Sequence, residues 1–241
     1  MRIIRVKNYE ELSRRTANLF LAQIAMKPDA VLGLATGGSP VGTYREMVAA
    51  YEKGDVDFSE VTTINLDEYR GISRKHEQSY WYFMQEHLFG HVNVRADHIF
   101  IPNGEDQDGE KVCREYDQLI KRAGGIDMQL LGIGLDGHIG FNEPADCFEM
   151  NTHLVNLTDS TIEANKRFFH NRDEVPRQAY TMGIRPIMQA KKVVMIANGQ
   201  QKAQILKKAF TGPVTSMVPA SILQMHPDFT LIADEEALSE M

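Results

Sequence analysis

Short apolar runs alternate along the chain with longer segments of helical periodicity, and this alternation limits the fold more than any other feature. Apolar runs of four to six residues, several of them rich in β-branched side chains, are typical of strands covered on both faces. The predicted strands are 30–35, 61–66, 98–101, 128–131, 193–197 and 229–233, and the predicted helices are 9–26, 40–52, 78–89, 105–123, 160–169 and 200–210. This order predicts an α/β fold with a mostly parallel sheet between layers of helices.

Neither a repeat nor a low-complexity linker interrupts the pattern, so residues 1–241 are expected to form a single domain. In sheets of this kind, ligands bind beyond the carboxyl ends of the strands. The loops that directly follow predicted strands are therefore the places to look for functional residues.

The bulk properties argue against several classes of partner. A net charge of −7 gives no general attraction for nucleic acid or for an anionic membrane. Cys113 and Cys147 are too few for a disulfide framework and lack CxxC spacing. No secretion-type apolar segment follows Met1, and no apolar run approaches the ~20 residues that a membrane helix needs. We expect a cytoplasmic protein that binds neither nucleic acid nor membrane.

The loop after the second predicted segment, 36–44, has the sequence TGGSPVGTY. Gly37 and Gly38 allow a sharp turn and a close approach of the backbone to a ligand. Ser39 is a predicted helix cap and Pro40 suits the first turn of the following helix. A helix N-terminus at this edge is suited to a phosphate group. The loop lacks Gly-Lys-Ser/Thr, so it is not a Walker loop, and an ordinary strand–helix turn would have a similar sequence.

Two adjacent acids, Asp67 and Glu68, end the strand 61–66. Strand alternation should point one side chain into the crevice and the other away from it. We expect Asp67 to act as a base in the site and Glu68 to form structural contacts. On spacing alone, either could also be a solvated loop acid.

The segment 132–137 matches the dinucleotide fingerprint GxGxxG after a strand, and Asp159 lies near the position of a ribose-binding acid. The fingerprint requires a helix that opens at the third glycine. Here Gly140 and Pro144 follow and disfavour a helix. We therefore interpret the match as accidental and expect no nucleotide cofactor.

The same loop carries Asp136, His138 and Glu143 within eight residues. Neighbouring carboxylates can fix the tautomer of a histidine and suit it to proton transfer near neutral pH. The alternative is that Asp136 caps a turn while His138 packs in the core. The spacing does not match HExxH and no second histidine lies nearby, so no metal is expected.

Eight segments, in order and across almost the whole chain, resemble glucosamine-6-phosphate deaminases. They are LATGGSP (34–40), NLDEY (65–69), QSY (78–80), GIGLDGHIGFNEP (132–144), NKRFF (165–169), TMG (181–183), QKA (201–203) and LQMH (223–226). Several of these segments are long and rare, so the resemblance is specific.

The resemblance implies a Rossmann-like, three-layer fold and the conversion of glucosamine 6-phosphate and water into fructose 6-phosphate and ammonium, without a cofactor. It implies that Asp67 moves the C2 proton and that His138 opens the pyranose ring with help from Asp136 and Glu143. It also implies a set of phosphate-binding residues: Thr36, Gly37, Gly38, Ser39, Arg167 and Lys202. From the residues alone, Arg167 and Lys202 would be interpreted as solvated helix residues.

One segment departs from the pattern of hexameric members that N-acetylglucosamine 6-phosphate activates. Those members carry basic residues after the Asn-Glu-Pro motif, whereas 145–155 here contains Asp146 and Glu149 and no Lys or Arg. An allosteric phosphate site is therefore not expected, because a phosphate site normally needs a cation or a cluster of donors. The oligomeric state stays open.

Two other functions are kept as alternatives. The first is a 6-phosphogluconolactonase-like hydrolase of the same fold, and the second is a non-catalytic phosphosugar-sensing module. The segments around Asp67 and His138 favour the deaminase over both.

Overall fold

The computed structural model describes residues 1–166, 169 and 171–241. A seven-stranded parallel sheet forms its centre, in the order β1-β10-β9-β6-β2-β3-β5. These strands are β1 (Arg2–Val6), β2 (Val31–Leu34), β3 (Thr62–Asn65), β5 (Ile99–Phe100), β6 (Met128–Leu131), β9 (Lys192–Ala197) and β10 (Phe229–Asp234). All six strands predicted from the apolar runs are present, and the predicted three-layer α/β class is confirmed.

The helices between the strands cover the sheet. They are α1 (Tyr9–Met26), α2 (Val41–Glu52), α3 (Tyr80–Met84), α4 (Gly109–Arg122), α5 (Asp159–Asn165), α6 (Ile184–Gln189) and α7 (Ala203–Thr211). In α1 the Asn8 side chain accepts a hydrogen bond from the Glu11 amide, which fixes the first turn. Within the described residues, no helix combines the length and the apolar character needed to cross a lipid bilayer.

Strand β1 was not predicted, and its environment explains why. It lies at the edge of the sheet and pairs only with β10, so its side chains are mostly exposed. Arg2 and Arg5 interrupt the apolar pattern that marks the central strands. An edge strand needs no continuous apolar run, and the periodicity therefore does not reveal it.

A second, three-stranded antiparallel sheet was also missed. It has the order β4-β8-β7 and contains β4 (Asp67–Tyr69), β8 (Gln178–Thr181) and β7 (His153–Asn156). Each strand has only three or four residues, which is too short for a clear alternation in sequence. In the register of this sheet, Asp67 pairs with Thr181.

Two predicted helices differ from the structure in their geometry. The helix expected over 78–89 is α3 followed by a π-helical turn at Gln85–Phe89. The helix expected over 200–210 begins as a 3-10 turn at Gln200–Lys202 and continues as α7. The helix expected over 160–169 is α5, and residues 167 and 168 at its predicted end lie outside the described residues.

The amino-terminal ends of the central strands are joined by one buried acid, Asp127. Its carboxylate accepts a hydrogen bond from the Val31 amide at 2.8 Å and contacts the Nζ atoms of Lys27 at 2.8 Å and Lys191 at 2.7 Å. Burial raises the pKa of Asp127, but these bonds outweigh burial and hold the pKa below its ordinary value. The opposite, carboxyl edge of the same strands is the one that forms a cleft.

Candidate active site

A cleft of about 510 Å³ lies at the carboxyl ends of β2, β3 and β6. The strand order places β2 between β3 and β6, so the three loops predicted to be functional meet there. The lining residues that bear on the chemistry are Thr36–Ser39, Asp67, Tyr80, Asp136, His138, Thr161 and Lys202. The cleft thus brings together residues up to 166 positions apart in the sequence.

The loop between β2 and α2 is held by a residue that the sequence did not reveal, Tyr9 of α1. The Tyr9 hydroxyl accepts a hydrogen bond from the Gly42 amide at 2.8 Å, and it lies 3.0 Å from the Gly38 carbonyl and 3.1 Å from the Ser39 carbonyl. Gly37 has a φ of 99°, a conformation that favours glycine. Tyr9 therefore caps the start of α2 and binds the carbonyl side of the loop.

The predicted capping role of Ser39 is wrong. The residue before α2 is Pro40, whose side chain makes no capping hydrogen bond to that helix. The Ser39 hydroxyl instead donates to Asn198 Oδ1 at 3.1 Å. The serine cap fails because the turn places Pro40, not Ser39, at the helix boundary. Thr36–Ser39 still line the cleft next to the N-terminus of α2, which is an environment suited to an anion.

Of the two predicted cationic residues, Lys202 lies within the described residues. Lys202, at the end of the 3-10 turn before α7, lines the cleft and its Nζ donates to the Ile133 carbonyl at 2.7 Å. Arg167 lies outside the described residues. The structure therefore places one lysine in the cleft with the glycine-containing loop.

Asp67 and Glu68 diverge as strand alternation predicts. Asp67 lines the cleft, whereas Glu68 accepts hydrogen bonds from the amides of Tyr69 at 3.0 Å, Tyr80 at 2.9 Å and Trp81 at 3.0 Å. Glu68 thereby anchors the first turn of α3. The first residue of α3, Tyr80, lines the cleft together with Phe141. The two rings stack, with their centroids 6.1 Å apart and an interplanar angle of 14°.

Both of these acids have raised pKa values. Burial, and then the neighbouring charge of Glu68, raises the pKa of Asp67 to about 8. Burial raises the pKa of Glu68 to about 7, although three amide donors and Arg74 act in the opposite direction. A carboxyl group with a pKa near working pH is suited to both accepting and returning a proton.

His138 lies beside Asp136 on the loop after β6. Its Nδ1 is 2.7 Å from Asp136 Oδ1, a charge contact that is not well aligned as a hydrogen bond, and its amide donates to the same oxygen at 3.1 Å. Burial raises the pKa of Asp136, but the close contact with the His138 ring and the hydrogen bond from the His138 amide hold it below its ordinary value. Asp136 is therefore an ionised partner that orients the imidazole.

The glycines of the same loop explain the accidental fingerprint. A Cβ on Gly134 would lie 2.3 Å from the His138 ring, so only glycine leaves room for the imidazole. Gly137 and Gly140 have φ values of 92° and 58°. No helix begins at Gly137 in the described residues, since the chain continues in turns up to β7. The glycines thus allow a tight loop that carries Asp136 and His138.

Glu143, the third member of the group, is fixed by the start of α5. Its carboxylate accepts hydrogen bonds from the Thr158 amide at 3.1 Å, from the Thr158 hydroxyl at 3.0 Å and from the Thr161 hydroxyl. Thr158 also caps α5. These threonines were missed because the distance of 15 to 18 residues has no local signature.

Ligand atoms of Asp136, His138 and Glu143 lie within 4.8 Å of one another, a spacing that could also hold a divalent cation. However, donors already contact the carboxylates of both Asp136 and Glu143. The same spacing also suits proton transfer among the three groups, which would form a proton relay. The absence of a metal requirement stays a prediction.

A family model of glucosamine-6-phosphate isomerases and 6-phosphogluconolactonases matches residues 6–231. The chain belongs to this family. It is 56% identical over 232 residues to a glucosamine-6-phosphate deaminase of Lachnoclostridium phytofermentans, covering 96% of this chain and 98% of that one. It is 51% identical over 239 residues to the deaminase of Thermoanaerobacter pseudethanolicus, covering 99% and 94%.

Two solved structures show how far the similarity of the chain extends. A monomeric glucosamine-6-phosphate deaminase is 43% identical, with a TM-score of 0.98 and full coverage of both chains. The 6-phosphogluconolactonase of Thermotoga maritima is 16% identical, with a TM-score of 0.77 and coverage of 97% and 99%. The second likeness concerns the fold alone.

The raised pKa of Asp67 predicts a stability effect with a definite sign. Between pH ~4 and ~8 the unfolded chain ionises this carboxyl while the folded protein keeps its proton, so wild-type stability falls as pH rises. Asp67→Asn should therefore be more stable than wild type, by roughly 2–4 kcal/mol at pH 8 and by much less at pH 4.5. Chemical denaturation across this range measures the difference.

Asp136→Asn is the matched control for that comparison. The pKa of Asp136 is lowered in the folded protein, so its charge contributes stability above pH ~4 that is lost as pH falls. This variant should be less stable than wild type at neutral pH. Equal effects of the two substitutions would contradict the assignment of opposite environments.

Gly134→Ala should displace the His138 ring, because the added methyl group would occupy its position. Misplacement of a reacting group by about 1 Å lowers activity by roughly 10²-fold. Crystal structures and turnover numbers measure both effects. In Gly132→Ala the methyl group meets nothing within 4 Å, so the imidazole should stay in place. An undisplaced ring in Gly134→Ala would refute the argument.

Thr161→Val keeps the shape of the side chain and removes a hydroxyl donor from Glu143. A hydrogen bond to a charged group contributes ~1.5–3 kcal/mol, so kcat should fall by roughly ten- to a hundredfold. Thr161→Ser restores the hydroxyl and should restore most of the rate. If valine and serine behave alike, the hydroxyl has no role in orienting Glu143.

Proposed function

We propose that this protein is a glucosamine-6-phosphate deaminase, which converts glucosamine 6-phosphate and water into fructose 6-phosphate and ammonium. The observation that carries the proposal is the presence, in one cleft, of a separate carboxyl group and a histidine–carboxylate group beside an anion-binding loop. Relatives at 50–56% identity bear the same name. The residue roles below are part of the proposal.

Binding begins at the phosphate. The Thr36–Ser39 loop and the N-terminus of α2 provide neutral donors, and Lys202 provides positive charge. Arg167 is proposed as a second cation from its place in the NKRFF segment. The phosphate does not react, so its binding energy can position the sugar ring over Asp67 and His138.

Ring opening comes first, because the C2 proton becomes acidic only when C1 is an aldehyde. His138 accepts the proton of the C1 hydroxyl and delivers a proton to the ring oxygen, and the C1–O5 bond breaks. The contact with Asp136 stabilises the imidazolium that forms between these two transfers. Glu143, held by Thr158 and Thr161, fixes the opposite side of the relay.

Isomerisation and deamination follow on the open chain. Asp67 removes the C2 proton while O1 takes up a proton, which gives an enolamine. Asp67 then returns its proton to C1, the C2–N bond becomes C=N, and the nitrogen gives up one proton, which replaces the one that O1 gained. The 2-amino aldehyde is thereby converted into a C2 imine. Water adds at C2, the C2–N bond breaks and ammonium leaves, so that fructose 6-phosphate remains. Electrons and protons balance without a redox partner, in line with the expectation that no cofactor is needed.

The lactonase alternative requires a different use of the cleft. Hydrolysis of a lactone needs water attack at C1 and no proton removal at C2. A buried carboxyl group at the position of Asp67 would therefore have no role in that reaction. Coupled assays of ammonium and fructose 6-phosphate from glucosamine 6-phosphate distinguish the two. Lactone hydrolysis without ammonium release would contradict the proposal.

The role of Asp67 predicts that Asp67→Asn loses about 10²–10⁴-fold in kcat while its affinity for substrate analogues stays measurable. Removal of a positioned base has this magnitude because proton transfer at C2 lacks another acceptor. Near-normal turnover of Asp67→Asn would show that another group is the base.

The role of Lys202 predicts a different kinetic pattern. Lys202→Ala should raise KM at least tenfold and change kcat less, because the phosphate contact serves binding of the whole substrate. Wild type should bind the unphosphorylated sugar more weakly than its 6-phosphate. Lys202→Ala should hardly change the kinetics with the unphosphorylated sugar. Equal kcat/KM values for glucosamine and its 6-phosphate would refute the phosphate site.

A further inference from the structure

Within the described residues, Asp67 differs from the acids in and around the cleft in lacking a hydrogen-bond or ion-pair partner. Glu68 accepts three amide hydrogen bonds, Asp136 contacts His138, and Glu143 accepts bonds from two threonines. Asp67 is only 6% exposed, yet in the described part of the chain no donor bonds to its carboxylate and no cation pairs with it. A buried carboxylate without compensation is unstable in its charged form.

Among the described residues, the groups around Asp67 supply no positive charge. Glu68 follows it on β4, and its charge makes ionisation of Asp67 harder. The other titratable groups that interact electrostatically with Asp67 in the described residues are phenols, and the charge of Asp67 raises their pKa values. They are contributed by β4, α2, α3 and α4: Tyr69, Tyr44, Tyr80 and Tyr116. These phenols are themselves buried and neutral. Within the described residues, the surroundings therefore hold Asp67 in its protonated form at neutral pH.

A general base must be ionised, so a cation has to arrive with the ligand. The proposed substrate carries its amine on C2, the carbon from which Asp67 removes a proton, and this places the nitrogen next to the carboxyl group. We propose that the 2-ammonium group of the substrate is the counter-ion that ionises Asp67, so that Asp67 recognises the amino group as well as moving the C2 proton. This inference rests on the proposed function.

The inference explains how the cleft selects amino sugars. A sugar phosphate with a hydroxyl at C2 brings no charge, so Asp67 stays mostly protonated and mostly inactive as a base. A 2-ammonium sugar forms a buried ion pair as the Asp67 proton leaves to solvent, and the strength of such a pair depends on its low-dielectric surroundings. The amino group thus switches on the base that acts beside it.

The binding test uses two reduced, open-chain analogues that cannot react: 2-amino-2-deoxyglucitol 6-phosphate and glucitol 6-phosphate. Isothermal titration at pH 7 should show that wild type prefers the amino analogue at least tenfold. Asp67→Asn should bind the two within about twofold. A preference that survives in Asp67→Asn would overturn the inference.

Glu143→Gln is the matched control, since it removes another carboxylate, one that lies within 4.8 Å of ligand atoms of the cleft residues Asp136 and His138. It should keep the preference for the amino analogue. If Glu143→Gln loses the preference to the same extent as Asp67→Asn, recognition comes from the general negative potential of the cleft and the inference is wrong.

A second measurement needs no variant. Titrations of wild type in buffers of different ionisation enthalpy report the protons released on binding. At pH 7 the amino analogue should release up to one proton more than the hydroxyl analogue, because only the former ionises Asp67; ionisation of the phosphate cancels in the difference. Equal release would overturn the inference.

Failure of this inference and failure of the proposed function give different results. If wild type releases no ammonium from glucosamine 6-phosphate, the proposed function fails. If wild type releases ammonium while Asp67→Asn keeps its preference for the amino analogue, only the recognition role of Asp67 fails.

Discussion

The cleft exists because β6, β2 and β3 are adjacent and parallel in the sheet. Parallel pairing directs their carboxyl ends to the same edge, so the loops after all three strands must meet there. At the opposite edge, the buried Asp127 bonds to the first residue of β2 and to lysines on both sides, which fixes the relative positions of β2 and β6. The site geometry therefore depends on the register of three short strands.

The small antiparallel sheet is the second requirement for the site, because it links the strand that carries Asp67 to the loop that carries His138. The chain leaves the main sheet at Leu66, whose carbonyl accepts a hydrogen bond from the Met182 amide at 2.7 Å, and continues as β4 beside β8. From β8, the Thr181 hydroxyl accepts a bond from the Phe141 amide at 3.0 Å. One strand thus contacts both the residue before Asp67 and the loop that carries His138, and it holds the two halves of the site together.

The sequence predicted the parts of the site that have local signatures. Asp67, Asp136, His138 and the glycine loop follow apolar strands directly, and strand alternation separates Asp67 from Glu68. The contacts that hold these residues were not predictable, because they join distant segments: Tyr9 with the loop before α2, and Thr158 and Thr161 with Glu143. The strands β4, β7 and β8 are too short to show periodicity. The expected Ser39 cap failed for a local reason, since Pro40 lies at the boundary and an incoming tyrosine hydroxyl takes the amide.

The adjacent pair Asp67 and Glu68 shows how one strand end can serve structure and chemistry together. Alternation sends Glu68 towards the start of α3, where it accepts hydrogen bonds from two amides, and it accepts a third from the adjacent Tyr69. The same alternation sends Asp67 into the cleft, where the described residues offer its carboxylate no donor. Because Glu68 lies next to it, its negative charge adds to the burial that holds Asp67 in its protonated form. Glu68 therefore anchors the fold and also raises the pKa of Asp67. In the proposed mechanism, Asp67 stays mostly protonated until a ligand brings a positive charge.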